Sequence, residues 1–348
     1  MADVLVVGVG VAGSYLGARL AAGLDVEGLE HQDLERYRSV CAWATSLDGM
    51  RPFMRRVGVD LDDYVLAEAD GVQVEAGGRV HLVPTSGLVT FDKPALIRRL
   101  AREFRVRYPV RVREAPPGAR LVVDATGVQR AVVGRARPGS DLVLPAYQLR
   151  VRYREPPIEG FYVRPFPNYS GYLWYFPLGR GEFFVGAGDL RRRHLRYLSE
   201  FLDSRRPDEV LERGGRPIRI SPPGILEPIY RGRVVAIGEA AGSVLPILGE
   251  GILPSIMSAE VLADAIERSG PDALDPGRYA RDLSRRFSIF RAAYRFVRRK
   301  QEGTCRLRRP SCALDALRLA LFFSSRWGRS VTGVAPGLEH VRLALGPI

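Results

Sequence analysis

Lysine is nearly missing from this chain: only Lys93 and Lys300 occur, so 50 of the 52 basic residues are arginine. Asparagine occurs once, as Asn168. Few labile amides and abundant arginine suit a heat-adapted protein, and a GC-rich genome explains the arginine bias equally well. Cysteine is limited to Cys41, Cys305 and Cys312, too few for a disulfide framework. In a mesophilic cytosol Cys305 and Cys312 would be free thiols, while in a hyperthermophile they could pair. The four histidines, His31, His81, His194 and His340, do not cluster, and C-x-x-C and H-E-x-x-H are absent, so no metal centre is expected. No window nears the ~18 uninterrupted apolar residues of a spanning helix. Met1 leads straight into the apolar strand Val4–Val7 with no basic leader, so the expectation is a cytoplasmic protein.

What is present is ordinary for a globular enzyme or binding protein. The 348 residues are 46% hydrophobic and 26% charged, which excludes a disordered or collagenous chain. The length predicts about two domains with cores that need no staple. The net charge of +13 is partly local, since residues 285–309 hold nine Arg and Lys300 against Glu302. Within that segment Phe287, Phe290, Tyr294 and Val297 recur at i, i+3, i+7 and i+10, leaving Arg291, Arg295, Arg298 and Arg299 on other faces. One reading is a core-facing stripe with a solvated arginine face. Another is a basic amphipathic helix for peripheral contact with anionic lipid on the inner membrane face, or for an acidic electron carrier. Arg191–His194 raises nucleic acid as a third, but no recognised motif accompanies it, so nucleic-acid binding is not expected.

The pattern along the chain opens as β-α-β: an apolar strand over 4–7, a turn over 8–13, a helix over 15–22 and a strand near 24–30. Residues 72–83 alternate around Gly77-Gly78 and predict a hairpin. A helix is expected over about 94–104 and a buried strand at 121–123. From about 143 to 190 the chain reads as an antiparallel sheet. A buried strand at 234–237 precedes a glycine-rich loop and a helix over 252–268. Residues 271–277 read as a linker before two helices, about 278–301 and 313–326.

Two loops carry chemistry. Gly8-Val9-Gly10-Val11-Ala12-Gly13 follows a strand and opens a helix, with Glu30 after the second strand. The first glycine allows the tight turn, the second lets backbone approach a pyrophosphate, and the third packs helix on strand. Glu30 would accept hydrogen bonds from ribose hydroxyls. The sequence thus predicts a dinucleotide here. Far downstream, Gly238-Glu239-Ala240-Ala241-Gly242, Pro246 and Gly249-Glu250-Gly251-Ile252 form a second strand, glycine loop and helix. Glu239 could hold ribityl hydroxyls, although alone this is also an ordinary α/β turn.

Together the two loops resemble the FAD-binding segments of p-hydroxybenzoate-hydroxylase-like flavoproteins. Tyr172-Leu173-Trp174-Tyr175-Phe176-Pro177, after Pro167, resembles the Y-x-W-x-F-P signature of the geranylgeranyl reductase family. A strand sets Tyr172, Trp174 and Phe176 on one face, which could wall an isoprenoid tunnel or simply be core. The resemblance implies that Cys41, in Arg38–Ala44, lies beside the flavin as a proton donor or contact, with Ala42 and Ala44 also against the cofactor. It further implies FAD contacts from Lys93 (where the family has Arg), from Val110, and from Ala125 and Gly127 in Asp124–Gly127. Gly238, Glu239, Pro246, Gly249, Gly251 and Ile252 complete the implied FAD set. Cys41, Tyr172 and Trp174 are the implied catalytic residues, and Tyr172, Trp174, Phe176 and Pro177 the implied substrate contacts. Glu239 departs from the family's Asp and Ala42 from its Gly.

The implied fold class is α/β. A doubly wound, Rossmann-like FAD-binding domain (1–60, 84–135, 227–270) would carry an antiparallel β-sheet substrate domain (61–83, 136–226). A C-terminal helical region (271–348) would follow. The implied activity is FAD-dependent saturation of C=C bonds in geranylgeranyl chains of archaeal ether-lipid precursors. Reduced FAD would give hydride to an unactivated alkene, with a nearby acid or water giving the proton and aromatic faces stabilising cationic character. With no second G-x-G-x-x-G, the electron donor would be transiently docked NAD(P)H or an acidic electron carrier. The rivals are a monooxygenase or halogenase of the same fold, and a flavin-binding protein that docks to membrane or nucleic acid without turnover.

Overall fold

A computed structural model describes residues 2–139, 141–305 and 310–337. Three sheets organise it. The first has six strands in the order Tyr230–Arg231, Val234–Ala236, Ala119–Asp124, Ala2–Val7, Val26–Leu29 and Arg105–Arg107. All neighbours in it run parallel except the edge strand Tyr230–Arg231. Parallel strands are covered on both faces, and Val4, Val6, Val122, Val123 and Val235 are accordingly fully buried. Helices Val11–Leu20 and Ile252–Ser269 cover one face and pack on each other.

The second sheet has seven strands in the order Glu209–Arg219, Val143–Arg152, Glu182–Asp189, Gly171–Pro177, Phe161–Pro165, Gly71–Ala76 and Arg79–Pro84. It is antiparallel apart from the parallel pair Phe161–Pro165 and Gly71–Ala76. The predicted hairpin turns at Gly77 and Gly78, with φ of 59° and 72°, the left-handed pair that a two-residue hairpin requires. A small third sheet joins Ala44–Ser46, Leu88–Phe91 and Val65–Glu68 between the two large ones. The fold is therefore mixed α/β, as the sequence predicts.

Several local expectations shift. The first helix starts at Val11, inside the glycine motif, rather than at Tyr15. The end of the expected linker is helix: Asp275 caps Pro276–Arg286 by accepting the Arg278 N–H at 3.0 Å, with Pro276 in the first turn. The single helix expected over 278–301 is two, broken at Phe287, which leaves helical geometry at ψ 26° and is fully buried. Cys305 and Cys312 are joined as a disulfide, with Cα atoms 5.6 Å apart.

The basic segment resolves in favour of the core. Phe287, Phe290, Tyr294 and Val297 are all buried. Arg295 and Arg299 bind the nearly inaccessible Asp315 carboxylate, at 2.6 and 2.8 Å, and Arg298 pairs with Glu302. The apolar face is thus spent inward and is not available to enter a bilayer. Residues 306–309 of that segment, and 338–348 of the C-terminal region, lie outside the described residues. No helix among the described residues is long and apolar enough to cross a membrane.

Asp315 should matter to stability and Arg298 should not. Asp315→Ala strips two arginines of one buried carboxylate and is expected to cost about 1–3 kcal/mol, after discount for the partly exposed guanidinium groups. Arg298→Ala removes an exposed pair and should stay within about 0.5 kcal/mol of the parent. Chemical denaturation of the two variants checks this.

Candidate functional site

The first glycine loop is built by close approach. Gly8 takes φ 91°, and a Cβ there would stand 2.6 Å from the Ala125 carbonyl oxygen. A Cβ at Gly13 would stand 2.0 Å from the Gly8 carbonyl oxygen, so this glycine presses helix onto loop. Gly10 differs: a Cβ there would meet only the Tyr37 hydroxyl, at 3.5 Å. It faces a cavity of about 960 Å³. No side chain caps the helix that Gly10 begins, so its first N–H groups and dipole end are presented to that cavity.

Glu30 is almost fully buried at the end of the second strand. Its Oε2 accepts the Val9 N–H at 2.7 Å and its Oε1 the Gln32 N–H at 2.9 Å. The carboxylate is thereby fixed beside the loop. The Val110 N–H donates to the Glu30 carbonyl at 2.7 Å, which brings Val110 to the same corner of the cavity.

Two buried charges link this loop to the second. The Asp124 carboxylate accepts four hydrogen bonds: the Thr126 N–H and hydroxyl on one oxygen, and the Val132 and Val133 N–H on the other. The Arg130 guanidinium donates to the carbonyls of Gly134, Ala240 and Pro228. Burial, with Arg219 nearby, lowers its pKa to about 10, so it stays charged at neutral pH. Ala125 and Gly127 line the cavity between them, as do Gly238, Glu239, Pro246, Gly249, Gly251 and Ile252 of the second loop.

Glu239, which lines the cavity, has protein partners of its own. Its Oε2 pairs with Arg216 and its Oε1 accepts the Arg219 N–H at 2.7 Å. A side chain one methylene longer than aspartate reaches across to strand Glu209–Arg219, where both partners lie. Arg216 also lines the cavity, and Glu239 holds its pKa up. No motif marks Arg216 in the sequence; it follows Gly214-Gly215 in an irregular strand, and only the sheet brings it here.

Beyond the second loop the wall turns aromatic. Tyr172, Trp174 and Phe176 all line the cavity, and Tyr172 and Trp174 meet edge to face at 5.8 Å. Their strand lies against Gly186, where a Cβ would stand 2.4 Å from the Trp174 ring. Tyr172 donates its hydroxyl to the Leu248 carbonyl, tying this face to the second glycine loop. Cys41, Ala42, Ala44 and Lys93 line the same stretch, and Cys41 packs with Trp43 and Trp174 in one apolar cluster. Past Phe176 the lining is apolar: Val72, Val74 and Val83 from the hairpin, then Leu319 and Phe323 from the helix Pro310–Ser324. Those helical residues are site-lining positions that no sequence motif marked. Two expected residues stand outside the cavity wall. Gly13 acts from behind, as above, and the Pro177 carbonyl accepts the Thr90 hydroxyl at 2.6 Å.

The geometry separates the two inner glycines. Gly10→Ala has room and should leave the thermal midpoint of the ligand-free protein nearly unchanged, while cutting affinity for FAD at least tenfold. Gly13→Ala must displace backbone and should lower the midpoint strongly. Thermal scans of apoprotein beside calorimetric FAD titration distinguish them.

No family model matches the chain. Among curated proteins, digeranylgeranylglycerophospholipid reductase 2 of Methanothermobacter thermautotrophicus is 29% identical over 235 residues, covering 63% of this chain. That match spans 57% of the relative's own length. The digeranylgeranylglycerophospholipid reductase of Methanosarcina acetivorans is 27% identical over 322 residues, covering 76% of this chain and 74% of that one. A geranylgeranyl bacteriochlorophyll reductase-like protein of Thermoplasma acidophilum superposes with a TM-score of 0.75 at 19% identity, covering 99% of this chain and 95% of that one. Flavin-dependent brominase and FAD-dependent monooxygenase structures share the fold. The chain is an FAD-dependent oxidoreductase by fold and is similar in sequence to the digeranylgeranylglycerophospholipid reductases.

Proposed function

We propose that this protein saturates C=C bonds of geranylgeranyl chains, those of archaeal ether-lipid precursors, at the single cavity described above. The observation that carries the reading is the continuity of that cavity. It runs from two glycine loops, through an aromatic face, into an apolar end.

The loops fit FAD on their own chemistry: Gly10 leaves backbone open to approach, and an uncapped helix N-terminus meets the cavity there. Gly8, Gly10, Ala12, Glu30 and Val110 would hold the adenosine and pyrophosphate half. Ala125, Gly127, Gly238, Gly249, Gly251 and Ile252 would hold the ribityl and ring half, with Cys41, Ala42, Ala44 and Lys93 against it. Bound and reduced, FAD supplies the hydride. The protein's own share is to extend the isoprenoid along Val72, Val74, Phe176 and Phe323, exclude water, and set one double bond against Tyr172 and Trp174. Their π faces favour cationic character developing on a substituted carbon. Glu239 is assigned to hold Arg216 in place rather than to bind a hydroxyl. Electrons would come from transiently docked NAD(P)H or from an acidic carrier drawn by the net charge of +13.

The test is mass spectrometry of a geranylgeranyl-glyceryl phospholipid after anaerobic incubation with chemically reduced holoprotein. The expected result is a stepwise gain of one hydrogen pair per double bond, slowed at least tenfold by Trp174→Ala. An unchanged lipid, with FAD bound and reducible, would overturn the reading and favour the oxygen-using rivals.

A further inference from the structure

Glu250 is the middle residue of Gly249-Glu250-Gly251, and the cofactor reading has no use for it. It sits where three elements of the cavity meet. Its Oε1 accepts the Ile252 and Leu253 N–H groups, both at 3.1 Å, at the start of helix Ile252–Ser269. The Thr45 hydroxyl of the small sheet approaches the same oxygen at 3.3 Å. Every hydrogen bond the structure gives this carboxyl falls on Oε1, and the residue lines the cavity. The residue is part-buried, and its remaining surface adjoins that cavity.

The neighbourhood is that of an acid beside an apolar substrate channel. Lys93, at the start of helix Lys93–Ala101, and Tyr172, from the aromatic strand, are the ionisable groups whose charges couple to Glu250, and Tyr172 also feels Cys41. Desolvation raises the Glu250 pKa to about 7, against the opposing pull of the two N–H groups, Thr45 and Lys93. Burial, then the charge of Glu250, pushes the Tyr172 hydroxyl well above its ordinary range, so Tyr172 does not compete as an acid. The Cys41 side chain packs among Trp43 and Trp174.

We infer that Glu250 is the general acid of this site: it delivers the proton to the alkene carbon that does not receive hydride, and it regains a proton from solvent between turnovers. The inference rests on the reductase reading and names the donor which that reading requires. One alkene carbon takes a hydride, whose two electrons come from reduced FAD, and the other takes the Glu250 proton. The C=C π bond is lost, two C–H bonds form, the cofactor is left oxidised, and the carboxyl is left as carboxylate. Tyr172 positions this side chain by tying the Leu248 carbonyl to the aromatic strand.

The experiment pairs an equilibrium readout with single-turnover chemistry. Glu250→Gln is isosteric and keeps a carbonyl oxygen for the Ile252 and Leu253 N–H groups, so it should fold and bind FAD. In the ligand-free wild type, infrared difference titration should show a protonated-carboxyl band lost as pH rises through about 7, and Glu250→Gln should lack it. With reduced holoprotein and geranylgeranyl phospholipid, wild-type saturation should fall tenfold per pH unit above that point. Glu250→Gln should be about 100-fold slower at pH 6, with no such decline. A missing wild-type band overturns the assignment whether or not the lipid is reduced, and so does a variant as fast as wild type with the same pH profile. A band present in a wild type that leaves the lipid unsaturated overturns it as a catalytic acid, and the reductase reading with it. A wild-type band that is present at low pH and lost as pH rises through about 7, in a protein that saturates the lipid, with a slow pH-independent variant, supports it. Should Glu250→Gln fail to fold, the wild-type band and pH profile decide alone.

Discussion

Asp124 and Arg130 are inaccessible charges that do not pair with one another, and the placement of both glycine loops depends on them. Asp124 saturates its carboxylate with local N–H and hydroxyl groups, which closes the turn after the central strand. Arg130 spends its guanidinium on backbone carbonyls, including Ala240 in the second loop. A buried ion stays favourable only while each of its hydrogen-bonding positions is filled. Both loops are thus held in one arrangement, because moving either leaves a charge unsatisfied. The Gly8 and Gly13 contacts add a steric lock: the first turn cannot open or slide without its helix.

That rigidity gives the rest of the cavity its geometry. The aromatic strand is fastened to the second loop by the Tyr172 hydroxyl, and the Glu209–Arg219 strand by Glu239 with Arg216. The antiparallel sheet is therefore referenced to the dinucleotide end at two points. An apolar chain lying on Tyr172 and Trp174 would meet a cofactor held by the two loops at a fixed separation. Glu250 sits at the same junction, which explains why one carboxyl can be both half-buried and open to the cavity.

What could be read in the sequence is what backbone geometry dictates locally. The glycine loops, the Gly77-Gly78 hairpin, the buried valine strands and the aromatic strand all announce themselves through residues that few other conformations accommodate. What could not be read depends on distant partners. Phe287 separates two helices while buried in the main core, although its spacing fits an uninterrupted stripe. The Asp275-Pro276 helix start was present in the sequence but fell inside a segment that reads as a linker. Arg216 and the cavity-lining face of Leu319 and Phe323 carry no motif and acquire a role only through packing. Glu239 reads as a cofactor ligand by its position, yet its partners come from a strand twenty residues upstream. The raised pKa of Glu250 comes from desolvation, which is invisible before the chain has folded.

The central claim is that one cavity holds FAD at its glycine end while presenting a reducible isoprenoid at the other. The most direct measurement is stopped-flow absorbance of the flavin in anaerobically reduced holoprotein mixed with geranylgeranyl phospholipid. The account predicts stoichiometric reappearance of oxidised flavin with the unsaturated lipid and none with the fully saturated one. Flavin that stays reduced with the lipid and is oxidised only on admitting oxygen would contradict it.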